Sequence, residues 1–247
     1  MSLQYGNMKP RLVAAIPARS GSKRIKNKNV IPLMGHPLLA YSIKAAAESG
    51  LFEKIFVVTD DQDYAEIALK YGASVPSLRP KETSGDRSPD IKWVQYCIQN
   101  WDLETYDYLA ILRPTSPLRR SVDILDAWEK LKLHPTADSV RAISKSSLHP
   151  GKMWTMYGDV ILPLLPFLAD GTIWHSSQIS NLPEVFFQNA SLEITKISAI
   201  IKTNSISGCV VTSYLSDGYS GLDINEPLDL EFIKFILDRG LVTLPKF

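Results

Sequence analysis

The segment 16-IPARSGSKRIKNKN-29 places five cationic side chains, Arg19, Lys23, Arg24, Lys26 and Lys28, within ten residues, directly after the apolar run 12-LVAAI-16. A basic loop with glycine and serine at the end of a strand offers cations and backbone N–H groups together, which is the chemistry of phosphate binding. Gly21, between Ser20 and Ser22, allows close backbone approach. The loop is neither G-x-x-x-x-G-K-[ST] nor G-x-G-x-x-G, because Gly21 is the only glycine between Ile16 and Gly35. A solvated charge run is the competing account of the same residues. Other chemistries lack their residues. His36, His134, His149 and His175 form no H-x-H or H-x-x-x-H pair for zinc, and 218-GYSGL-222 has the wrong spacing for a nucleophile elbow.

A phosphate loop must be held by a sheet, and the first 145 residues carry the alternation of one. Apolar runs at 12–16, 54–59, 107–112 and 138–143 are separated by helical patterns at 37–50, 60–72, about 89–100 and 121–133. Pro37 suits the first turn of its helix and Gly50 and Gly72 suit helix ends. This βαβ series predicts an α/β fold with a doubly wound, mainly parallel sheet, whose ligands sit outside the carboxyl ends of the strands. Residues 145–190 break the rhythm, with Pro150, Pro163, Pro166 and Pro183 among apolar pieces, and read as an inserted lobe. Ile161, Leu162, Leu164, Leu165, Phe167 and Leu168 suit either a subunit interface or a flap on the core. A strand at 209–215 and a helix at 226–240 close a single domain spanning 1–247.

The net charge of +1 over 247 residues makes the basic cluster local, so a small anion is expected and no nucleic acid. Cys97 and Cys209, 112 residues apart, read as buried thiols without disulfide or metal spacing. The first residues lack a signal-peptide pattern and 12–16 is too short to span a bilayer. The expectation is a cytoplasmic protein with no membrane contact.

Five blocks in order carry a resemblance. IPARSGSKRIKNKN resembles the nucleotide-binding signature of the acylneuraminate cytidylyltransferases, or CMP-sialic acid synthetases, and their relatives acting on other nine-carbon keto sugar acids such as legionaminic and pseudaminic acid. The stretch 79-RPKETSGDRSPD-90 resembles the family's RP-x-E segment, and 110-AILRPTSPLR-119 its LLQPTSPLR. Further on, 182-LPEVFFQNASLEI-194 resembles LP-x-x-(F/Y)-x-x-NGA-(I/L)-x-I, and 223-DINEPLDL-230 the metal-binding DID-x-x-x-DL.

The resemblance implies a Rossmann-like nucleotidyltransferase fold and roles for particular residues. Arg19 and Lys23 would act in catalysis on the triphosphate of CTP, within a nucleotide site of Ala18, Arg19, Ser20, Gly21, Ser22, Lys23, Lys28, Asn29, Arg79, Asp90 and Arg113. Asn29 would read the cytosine edge, with a turn cap as its other account, and Arg79 would contact base or ribose, with a plain salt bridge as its alternative. Arg24 and Lys26 are left to solvent. The sugar would meet Arg113, Lys152, Phe186, Phe187 and Asn189. Asp223 would be catalytic as a ligand of Mg²⁺, joined by Asn225, which replaces the family's second Asp and also suits an N-cap for the last helix. Arg113 stands where the family has Gln, and Ile179 and Phe187 stand where sialate enzymes carry arginines. No general base stands out, which transfer governed by positioning and electrostatics tolerates.

The implied reaction is Mg²⁺-dependent transfer of CMP from CTP to the anomeric hydroxyl of a nine-carbon 2-keto sugar acid, by a homodimer assembled through the 145–190 lobe, which also carries the sugar site. KDO or another sugar, with CTP or another nucleotide, is one alternative. A catalytically impaired nucleotide-sugar binder, suggested by Asn225, is another.

Overall fold

The computed structural model of the chain describes residues 9–165 and 171–247. In chain order its strands are β1 (Leu12–Pro17), β2 (Pro32–Leu33), β3 (His36–Pro37), β4 (Lys54–Val58), β5 (Tyr108–Leu112), β6 (Ser139–Lys145), β7 (Trp154–Tyr157), β8 (Val160–Pro163), β9 (Phe186–Lys196) and β10 (Val211–Leu215). The helices are α1 (Leu38–Ser49), α2 (Gln62–Lys70), α3 (Asp90–Asn100), α4 (Ser121–Lys132), α5 (Ile197–Thr203) and α6 (Pro227–Asp238).

Six strands form one sheet in the order β10-β6-β9-β5-β1-β4. β1 pairs in parallel with β4 and β5, and β10 with β6, whereas β9 runs antiparallel to both β5 and β6. The fold is thus the expected mainly parallel α/β sheet, with one antiparallel strand, β9, that the apolar runs did not announce.

β1 shows why this sequence makes a central strand. Successive side chains of a strand point to opposite faces, and a strand covered on both reads as a continuous apolar run. Leu12, Ala14 and Ile16 pack with Leu39 and Ile43 of α1, Tyr64 of α2 and Ile124 and Trp128 of α4. Val13 and Ala15 pack on the other face with Trp93, Val94 and Cys97 of α3 and Ile197 of α5. A third apolar group joins Ile233 and Ile236 of α6 to Leu33, Leu38 and Tyr41 beside the β2–β3 ladder. Chain punctuation does the rest: Gly50 closes α1 at φ 60°, and Asp61 caps α2 through a 3.1 Å bond from Tyr64 N–H.

Four local readings are corrected. Pro37 is the N-cap of α1 and not within its first turn. α6 is capped by Glu226, whose side chain and that of Asp229 form a reciprocal box, so Asn225 is not the cap. Cys97 is buried, but Cys209 is exposed on the loop before β10. Residues 186–190, read as the end of the lobe, belong to β9 of the central sheet.

The rest of that segment stands away from the sheet as the β7–β8 hairpin and short turns. Lys152 fastens it, donating to the carbonyls of His175, at 2.8 Å, and Ser177. Met156, Tyr157, Val160, Ile161, Leu162, Leu164 and Leu165 are exposed on it, while Pro166, Phe167 and Leu168 lie outside the described residues. Among the described residues no helix is long and apolar enough to cross a membrane.

Candidate active site

The segments after the carboxyl ends of β1 and β5, the stretch 79–93, Ala190 of β9 and the 223–225 turn surround a cavity of about 510 Å³. β1 delivers the basic loop, whose course is fixed by backbone: Ala18 N–H donates to the Val58 carbonyl (2.9 Å), and Ser20 N–H to the Asp60 carboxylate (2.9 Å). The loop then turns through Asn27 at φ 55° into a single 3-10 turn over Lys28–Val30. Asn29, buried there, donates from Nδ2 to the Arg19 carbonyl at 2.9 Å. One end of its amide therefore holds the loop, and its oxygen has no protein partner among the described residues.

Of the residues expected in the site, Arg19, Ser22, Lys23, Lys28, Asn29, Arg79, Asp90, Arg113, Asp223 and Asn225 line this cavity. Ala18, Ser20 and Gly21 shape the loop behind it without lining it. Lys152, Phe186, Phe187 and Asn189 lie outside the lining as well. Asn189 is a brace: its amide donates to Ser144 Oγ (2.8 Å) and Ser216 Oγ (2.7 Å), and its oxygen accepts from Ser191. Phe186 and Phe187 are exposed at the start of β9, and Lys152 is engaged within the lobe.

Six cationic side chains face three carboxylates around the cavity. Arg19 and Lys23 both end on Asp86, at 2.8 and 2.6 Å. Lys28 crosses to the Ile224 carbonyl at 2.9 Å, and Arg24 reaches Asn225 Oδ1 at 3.4 Å, so the basic loop touches the 223–225 turn twice. Burial pushes the Lys28 ammonium down from its ordinary value, with Asp223 working the other way. Arg79 is buried and donates from Nε to Ser84 Oγ at 2.9 Å; burial lowers its pKa too. Arg113 donates to Asp90 at 2.6 Å and stands 3.7 Å from the buried Glu193, which is itself bonded to Arg141 at 2.6 Å. Burial works against the charged form of Asp90, but Arg113 and the Trp93 N–H outweigh it and hold the carboxyl below the ordinary carboxylate range.

The Asp223 carboxylate is half used. Oδ2 accepts from the Asn225 amide at 2.7 Å, while Oδ1 is buried on the cavity wall with no hydrogen-bond partner. An orphaned anionic oxygen beside a polyphosphate-sized space fits a hard divalent cation. Among the described residues no three His, Cys, Asp or Glu side chains come together as a cage. The residues present therefore fit an ion held by one carboxylate and completed by ligand phosphates and water. Asn225 spends its N–H on Asp223 and directs its oxygen to Arg24, so it supports the turn in this geometry.

Sequence reasoning missed Asp86, Arg24, Trp93 and Ala190 as parts of the wall. Asp86 meets the basic loop only through tertiary folding, and Trp93 bonds the same Asp90 carboxylate that Arg113 reaches from the end of β5. Ala190 sits at φ 60° where the pairing of β9 with β6 shifts register. The 79–90 block was the available signal for Asp86.

A doubly wound sheet with a cationic loop after its first strand and an anion-seeking cavity at its carboxyl edge defines a nucleotide-binding α/β protein. Residues 13–142 match the model of the family described as Cytidylyltransferase, and the chain belongs to that family. It is 32% identical over 91% of its length to an N-acylneuraminate cytidylyltransferase of Escherichia coli O18:K1:H7, of which it spans only 51%. It is 35% identical over 95% of its length to a CMP-N,N'-diacetyllegionaminic acid synthase of Legionella pneumophila, of which it spans 99%. In structure it resembles a CMP:2-keto-3-deoxy-manno-octonic acid synthetase complexed with CTP, with a TM-score of 0.67 at 11% identity, covering 93% of this chain and 99% of that one. At that identity the likeness speaks for the fold.

Proposed function

We propose that the protein transfers CMP from CTP to the anomeric hydroxyl of a nine-carbon 2-keto sugar acid, releasing pyrophosphate. The observation that carries this reading is the cavity itself: Arg19, Lys23, Arg24 and Lys28 from one loop, facing the half-free carboxylate of Asp223. The names of the relatives in Escherichia coli and Legionella supply the sugar class.

In this account Arg19 and Lys23 bind the β- and γ-phosphates and neutralise the charge that grows on the leaving pyrophosphate. Arg79 and the free oxygen of Asn29 face the nucleoside. Lys28, drawn towards Asp223 and the Ile224 carbonyl, holds the basic loop against the metal turn. Asp223 would hold Mg²⁺, which supplies polarisation of the α-phosphate and of the attacking oxygen when bound. Arg113 is the sugar-side residue that reaches the cavity, fixed by Asp90. Lys152 from the lobe and Phe186, Phe187 and Asn189 from the start of β9 would shape the approach of the sugar, and the exposed β7–β8 hairpin would carry the contact of a homodimer. The cytoplasm, where CTP is made, is the compartment this reaction implies.

The test is mass-spectrometric detection of a CMP-sugar in mixtures of protein, CTP, Mg²⁺ and a single acid from a series including sialic, legionaminic and pseudaminic acids and KDO. A CMP conjugate of one nine-carbon acid supports the reading. Conjugation to KDO alone would replace the sugar class and leave the chemistry intact.

A further inference from the structure

Three carboxylates line the cavity among the described residues, and Asp86 differs from the others in what holds it. Asp90 has a neutral donor in the Trp93 N–H besides Arg113, and Asp223 is held by the amide of Asn225. Asp86 is held by cations alone: Oδ1 lies 2.8 Å from Arg19 Nη1, and Oδ2 lies 2.6 Å from Lys23 Nζ. Hydrogen bonds from Lys23 and then Arg19 keep its carboxyl below the ordinary range. Its two oxygens thus occupy the same two cations that the proposed function gives to the triphosphate. A polyphosphate that takes those N–H groups must displace the carboxylate, and one that settles beside it meets a like charge.

Displacement is mechanically easy. Asp86 sits in a turn closed by Ser88 N–H on the Gly85 carbonyl (3.0 Å), with its side chain 35% exposed. No third group fastens it among the described residues, so rotation about its own side-chain torsions releases it without moving the backbone. The cations stay beside the cavity when phosphate is absent: Asp86 tethers the largely exposed Lys23, and it shares Arg19 Nη1 with the carbonyls of Gly21 (3.2 Å) and Ser84 (3.3 Å).

We propose that Asp86 is the resident counter-ion of the phosphate subsite. It holds Arg19 and Lys23 while no phosphate is bound, yields them to the incoming polyphosphate, and retakes them as pyrophosphate departs. This rests on the reading that Arg19 and Lys23 bind phosphate. Its consequence is a lowered affinity for the product, since a ligand that must first displace a competitor binds more weakly by the fraction of molecules in which the site is open. Small monoanions, which cannot replace both contacts at once, are rejected by the same device.

The experiment is calorimetric titration of the 247-residue protein with inorganic pyrophosphate and, separately, with CTP. Wild type is compared with Asp86→Asn and with Glu82→Gln, which removes the same charge from the same loop at an exposed position outside the cavity lining. Asp86→Asn is expected to bind pyrophosphate about tenfold more tightly than wild type, the gain set by the population that the carboxylate had closed. Glu82→Gln should shift it by less than about twofold, the effect of one screened surface charge. Equal affinity in the two variants, or weaker binding by Asp86→Asn, overturns the role of Asp86 while wild-type binding upholds the phosphate site. Absence of binding to all three proteins overturns the phosphate reading itself and the counter-ion with it.

Discussion

Lys23 reaches the cavity on a largely exposed side chain, and a charge in that position matters only if something anionic stands opposite it. In the proposed reaction that partner would be the pyrophosphate being formed, so Lys23→Ala should lower kcat/KM by about tenfold or more, measured by pyrophosphate release under saturating Mg²⁺. A wild-type value would make the segment after β1 a solvated basic loop. Asp223 presents a single free oxygen, and its neighbour Asn225 adds no charge. Affinity of oxygen-ligated cations rises with the number of charged ligands, so Asn225→Asp should lower the half-saturating Mg²⁺ concentration about tenfold. An unchanged titration would remove residue 225 from the metal's surroundings. At this scale the sequence displayed the cations and Asp223 because each sits in a short contiguous block. It hid their counter-ions: Asp86 and Glu193 acquire their roles from residues 63 and 80 positions away, Lys23 and Arg113.

Among the elements, β1, β4 and β5 were legible for a physical reason, since strands covered on both faces must be apolar throughout. β9 was illegible for the complementary one. Its Ser191, Glu193 and Thr195 are buried although polar, because Glu193 is neutralised by Arg141 and Arg113 and Thr195 donates to the Ile206 carbonyl. A polar alternation of that kind reads as the edge of a lobe, not as a strand in the middle of a sheet. Ala190 marks the place where β9 bends towards the cavity, and it does so at φ 60°, a region costly to a residue with a Cβ. Ala190→Gly is expected to stabilise the protein by about 1 kcal/mol, the relieved strain less the extra freedom of glycine in the unfolded chain. Urea denaturation followed by circular dichroism measures it, and a loss of stability would mean that the methyl group's packing outweighs its backbone.

For the molecule as a whole, the central sheet and its cavity are one part and the β7–β8 hairpin is another, set apart by its exposed apolar face. Tyr157 pairs with Val160 on one side of the hairpin and Met156 with Ile161 on the other, and Met156 and Ile161 together leave an apolar face in water. If that face is the contact of a homodimer, light scattering at micromolar concentration should give twice the chain mass of 27.6 kDa, and Met156→Glu should halve it. A monomeric wild type would return the hairpin to its other account, a flap. The chemistry of the cavity, however, does not depend on assembly. Pyrophosphate release should be followed from CTP and Mg²⁺ in the presence of each nine-carbon 2-keto acid and of KDO, with ATP, GTP and UTP in parallel. Release with CTP and one nine-carbon acid is the predicted result. Silence with every acid, in a preparation that still binds CTP, would contradict it and leave a nucleotide-binding protein of the same fold.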